Sequence, residues 1–288
     1  MAENLKKHLS KLSKRGPNRV LVGDLSYAGL PGKVYTPATG NAVPGVAFGH
    51  DWLRGLKNYH ATLRHLASWG IAVAAPETET GISPNHRGFA ADLETAAQIL
   101  AGVKLGQGNV TVGPGKLGMV GHGMGGGCAI LAASNSAKVQ AVAAIYPAAT
   151  APSCVEAAKR VQVPGLILGS GQSSLLDAGN PAQVAQEWGG TACYRQINKG
   201  NQQGFTEDTL FKLLIGAARP QVGAREVARG LLTGFLLATL DHDSALSGFA
   251  SPTATGSGFE SLAGEDLLEV VGDTGVPKES GIERSPAN

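Results

Sequence analysis

Two rhythms of apolar residues alternate along the chain. Short runs at 19–23, 33–36, 43–49, 71–75, 117–120, 139–145, 163–169 and 191–197 read as strands. Between and after them, 56–69, 88–103, 125–134, 181–188, 207–215 and 225–240 carry apolar side chains at helical spacing. Phe89, Leu93, Ala97 and Leu100 fall on one side of the second of these, and Gly70 and Pro76 end the segments they follow. Strands alternating with helices predict an α/β fold: a mostly parallel central sheet with helices on both faces. In such sheets ligands bind beyond the C-terminal ends of the strands.

The two ends read differently from the middle. At 1–16, Leu5, Leu9 and Leu12 recur at helical spacing among lysines, as in a basic amphipathic helix. Residues 1–20 hold Lys6, Lys7, Lys11, Lys14, Arg15 and Arg19 against Glu3, a net of +5. The expectation is a first helix packed on the main domain with its lysines in water; contact with a membrane surface or an acidic partner is the other reading. Residues 251–288 are rich in Gly, Ser, Pro and Thr and acidic, which predicts a largely disordered tail. Within it, Leu262, Leu267, Leu268, Val270 and Val271 form a sticky element that docks either on its own domain or on a protein partner. Residues 17–250 form the domain between.

The whole-chain charge of +2 argues against nucleic acid as the main partner. No run of about 18 apolar residues predicts a membrane span, and the basic N-terminus lacks the apolar core of a secretory signal, so a cytoplasmic protein is expected. Cys128, Cys154 and Cys193 include no C-x-x-C pair, which speaks against a zinc site or a disulfide framework.

The most informative stretch is 117–131. Gly121-x-Gly123-x-x-Gly126 fits a dinucleotide fingerprint, but no Asp or Glu stands between Gly123 and Ser153 to bind a ribose, and no cofactor is expected. Gly121, His122, Gly123, Met124 and Gly125 fit the nucleophile elbow G-x-S-x-G, with glycine in the serine's place.

With this turn the chain resembles the α/β-hydrolase family, and more narrowly its dienelactone-hydrolase, bacterial cutinase and platelet-activating-factor acetylhydrolase group. The resemblance spans about 17–250. It rests on the turn, on the Ala47-Phe-Gly-His-Asp-Trp52 loop, and on the stretches 163–169, 200–205 and 231–243. It implies a Ser, acid, His triad in chain order. Gly123 stands at the nucleophile position, Ser173 at the acid position with Asp177 the nearest carboxylate, and Gln202 (or Gln203) at the base position. No histidine lies between Thr191 and Leu240, and His242 follows the closing helix. The resemblance also implies an oxyanion hole from the N–H of Met124 and of Asp51 or Trp52, with His50 and His122 beside the pocket.

Losing a nucleophile or base costs about 10⁶ in rate. The sequence therefore predicts a catalytically inactive hydrolase fold acting as a binding or scaffold module, with a pocket for an acyl, lipid or ester-like ligand. The alternative is a divergent carboxylic-ester or lactone hydrolase that works without a serine. His50 with His122, or a reactive Cys128, could supply other chemistry, but structural roles are expected for them. Glu77, Glu79 and His86, with His50 and Asp51, fall at one sheet edge, where a solvated surface rather than a metal site is expected.

Overall fold

The computed structural model describes residues 3–171, 178–207 and 221–272. Among these, nine strands form one sheet: β1 (Val20–Asp24), β2 (Gly32–Pro37), β3 (Gly40–Gly49), β4 (Ala72–Pro76), β5 (Val110–His122), β6 (Val139–Ile145), β7 (Gly165–Ser170), β8 (Ala192–Ile197) and β9 (Phe259–Leu262). Their order is β1-β2-β4-β3-β5-β6-β7-β8-β9. From β4 to β8 every neighbouring pair is parallel, and the antiparallel pairings are confined to the β1, β2 and β9 edges.

Period-two alternation sorts the strand side chains to two cores. Ala47, Met119, Val142 and Ala144 face one core with helices His86–Gly102 and Met124–Ala133. Phe48, Val120, Ala143 and Ile145 face the other with helices His60–Ser68 and Val222–Leu240. The predicted α/β architecture with helices on both faces is what the chain adopts.

The N-terminal helix Lys6–Leu12 lies on the second face. Leu5, Leu9 and Leu12 are all buried there, against the Val222–Leu240 helix, as the packed reading expects. The expectation of a largely disordered tail requires correction over 251–272. Phe259–Leu262 adds to β8 as an antiparallel edge strand, and Glu265–Gly272 is a helix whose Leu267 reaches the first core. The anchor is Arg195 on β8. Its fully buried guanidinium donates to the carbonyls of Ser251 and Pro252 and lies 5.6 Å from the Phe259 ring. The N-terminal segment also pairs with Thr255, through Leu5 N–H to Thr255 O and Thr255 N–H to Glu3 O, both 2.8 Å. Most of the predicted helix at 207–215 lies outside the described residues.

Helix His60–Ser68 carries the domain's clearest titrating device. Its His65 is buried, and its Nε2 has no hydrogen-bond partner among the described residues. Burial first, and then the nearby Arg229 charge, hold its pKa down to about 4, while a bond with the Leu12 backbone opposes them. The unfolded chain, with an ordinary histidine near 6.5, takes up the proton first as pH falls. The contribution of His65 to stability is therefore full above about pH 6.5 and lost towards pH 4, at most on the order of 3 kcal/mol. Urea midpoints of His65→Asn should fall less steeply than wild type between pH 6.5 and 4.

Candidate active site

Strands β3 and β5 run side by side, with Gly49 opposite Gly121, and deliver the two segments that matter to the C-terminal edge of the sheet. After β5 the chain turns sharply into helix Met124–Ala133. Gly123 at the turn has φ 53° and ψ −120°, the strained geometry of a nucleophile elbow. Close approach fixes the flanking residue: a Cβ on Gly125 would lie 2.2 Å from the Gly49 carbonyl carbon.

The space above Gly123 is filled from the neighbouring loop. A Cβ built on Gly123 would stand 2.0 Å from Asp51 Oδ1 and 2.2 Å from its Cγ. The Asp51 carboxylate thus occupies the place where a nucleophile's side chain would begin. Its Oδ1 accepts the Met124 N–H at 2.9 Å and the Trp52 N–H at 2.8 Å, and its Oδ2 accepts Gln202 Nε2 at 3.0 Å. Two backbone donors converging on one oxygen make an oxyanion hole. Here the chain's own carboxylate sits in it. The donors are those of Met124 and Trp52, because the Asp51 N–H goes instead to Tyr59 Oη at 3.0 Å.

A chain of hydrogen bonds sets the histidine beside this site. His122 Nε2 lies 3.0 Å from the Gln202 carbonyl, so it carries the proton and donates. Nδ1, 2.9 Å from Tyr59 Oη, then accepts from the tyrosine, whose oxygen accepts from Asp51. His122 is fully buried and 4.0 Å from Asp51 Oδ2. His50, also fully buried, ties two loops together, with Nδ1 2.9 Å from Asp51 O and Nε2 2.8 Å from Thr78 O. Tyr59 itself is placed from across the fold: the Glu207 carboxylate accepts the Ala61 and Thr62 N–H groups, each at 2.8 Å, at the start of the helix that Tyr59 precedes.

The structure thus gathers Gly123, Asp51, Trp52, Met124, His122 and Gln202, with His50 one residue away. Gln202 is buried, its Oε1 accepting the Ala178 N–H at 3.2 Å. Gln203 instead meets Arg54 at 3.5 Å. Ser173 and Asp177 lie outside the described residues. His242 is at the other end of the sheet, beside Asp241, which pairs with Lys116 ahead of the β6-paired part of β5.

Glu77, Glu79 and His86 each turn to a different backbone N–H, those of Leu56, Asn85 and Ala151, and no three potential ligands cluster among the described residues. All three thiols are buried, and burial raises them, Cys128 to about 12 and Cys193 to about 11, which disfavours a reactive thiolate.

Against known families, residues 12–187 match the PET hydrolase-like family (PETase). The chain belongs to that family. The match includes the Asp51 loop and the Gly123 elbow and ends before Gln202. No curated protein matches the chain. Within this PET hydrolase-like fold the sequence placed Asp51 on the oxyanion loop but did not show that its carboxylate fills the space above Gly123. The signal available was an acidic residue on the oxyanion loop together with a glycine at the elbow, and only their apposition in space joins the two.

Asp51→Asn keeps an oxygen for Met124 and Trp52 but turns an amide donor towards Gln202 Nε2. Two buried donors then face each other, each at about 1–3 kcal/mol in urea unfolding, and Asp51→Ala, which orphans the Met124, Trp52 and Gln202 donors, should cost more.

Proposed function

We propose that this chain is a PET hydrolase-like scaffold retained as a non-catalytic binding module. The observation that carries the reading is Asp51 Oδ1, seated on the Met124 and Trp52 N–H groups and 2.0 Å from the Cβ position of Gly123. An ester carbonyl needs both those donors free and a nucleophile at the elbow. Here the donors are taken and the elbow has no side chain. The base position holds Gln202, an amide that accepts no proton at neutral pH. The ligand class we propose for the module is an acyl or ester-like molecule.

Family membership favours a second reading, a divergent carboxylic-ester or lactone hydrolase using non-standard residues. In that case Asp51, the ionisable group at the nucleophile's place, is the residue on which activity would depend.

Hydrolysis of p-nitrophenyl butyrate separates the two. Wild type is expected at the buffer rate. Gly123→Ser alone should remain there, because the new side chain meets Asp51. Combining it with Asp51→Gly, Ser173→Asp and Gln202→His should raise the rate. Wild-type turnover that follows the protein through purification and disappears in Asp51→Asn would overturn the non-catalytic reading and establish the second.

A further inference from the structure

The N-terminal helix divides its surface cleanly. Leu5, Leu9 and Leu12 stand at i, i+4 and i+7 and are buried. Lys7, Lys11 and Lys14 repeat the same spacing two residues on, about 200° around the helix, and are exposed. With Ser10, Arg15 and Trp69 they line an open cleft of about 660 Å³ whose lining includes no acidic residue among the described residues.

The cleft is held in shape. Trp69 Nε1 donates to Lys14 O at 2.9 Å, the Gly16 N–H donates to Ser68 Oγ at 2.8 Å, and Lys11 Nζ lies 5.8 Å from the indole centroid. Three lysines elsewhere have carboxylates beside them, Lys33 with Asp24, Lys116 with Asp241 and Lys159 with Glu156. Lys7, Lys11, Lys14 and Arg15 form no ion pair among the described residues.

We infer that this cleft is a docking face for an anionic phospholipid surface. The apolar stripe is spent on the domain core, so the helix cannot insert, and adhesion is electrostatic, with phosphates held by the lysine row. Trp69 supplies an amphipathic ring of the kind that favours the headgroup level. The chain's own acidic end is a poor occupant. Helix Glu265–Gly272 packs into the core on the opposite face of the sheet, and residues 273–288 carry only Asp273, Glu279 and Glu283 against Lys278 and Arg284. Each basic residue near an anionic surface strengthens binding by about fivefold, an effect that salt screens within about 10 Å at 0.1 M.

The test is flotation of the full-length protein with vesicles of phosphatidylcholine alone or with phosphatidylglycerol added, at low and high salt. Binding is expected only to the anionic vesicles and to fall with salt. Reversing three charges (Lys7→Glu, Lys11→Glu, Lys14→Glu) should reduce it at least tenfold, with the corresponding Lys→Gln triple in between. A charge-matched control (Lys57→Glu, Lys104→Glu, Lys138→Glu) should retain it, and circular dichroism should show all variants folded. Equal binding to neutral vesicles, or equal loss in the control, would overturn the inference. So would no vesicle binding while inorganic phosphate or an acidic peptide alone perturbs Trp69 fluorescence, which would make the cleft a site for a soluble anion.

Discussion

One carboxylate, that of Asp51, organises the C-terminal edge of this sheet. Two backbone donors of an oxyanion hole cannot be left buried and unpaired without a penalty of about 1–3 kcal/mol each. In an active hydrolase, water or substrate meets that need. Here Asp51 meets it from within the chain, with Gln202 as a third donor on the second oxygen. The arrangement requires glycine at position 123, since any Cβ there would overlap the carboxylate. Glycine at the elbow and aspartate on the loop are thus two halves of one steric solution. Changing either alone leaves a clash or a set of orphaned donors.

The same constraint accounts for the histidine. His122 sits beside Asp51, yet its ring is committed at both nitrogens, donating to the Gln202 carbonyl and accepting from Tyr59. Tyr59 receives the Asp51 N–H in turn, so the chain runs from the loop back to the turn that follows β8. A histidine acting as base on an ester would need a nitrogen facing the reacting atom. This one is used to hold Gln202 and Tyr59, and through them the loop that delivers the carboxylate.

Much of the fold was legible because short apolar runs and helical spacing are local signals. Val139–Ile145 is one strand whose side chains sort to two cores, and 139–145 was readable as a short, nearly continuous apolar run, the pattern of a strand buried on both faces. The acidic end was not legible for the converse reason. Phe259–Leu262 sits among Gly, Ser, Pro and Thr, and its strand state comes from pairing with β8 and from the Arg195 guanidinium that grips the Ser251 and Pro252 carbonyls. Nothing in the residues around Arg195 marks it in sequence as the group that does so. At the site, Gly123 was visible as the missing serine, whereas the group that took its space arrives from a distant loop. A list of absent catalytic residues says what a site has lost and nothing of what fills it.

The fold sets two kinds of charge in contrast. Asp51, buried at the sheet edge, has each oxygen matched to donors and is fixed by them. The lysines of the N-terminal helix are exposed, and the segment that carries them is pinned by Trp69, by Ser68 and by the pairing of the chain's first residues with Thr255. Charge held in register on a rigid face loses little conformational entropy when it meets an opposite surface, whereas a flexible basic arm must be ordered first. Docking the leucine stripe on the Val222–Leu240 helix therefore stabilises the domain and also presents the basic row already arranged.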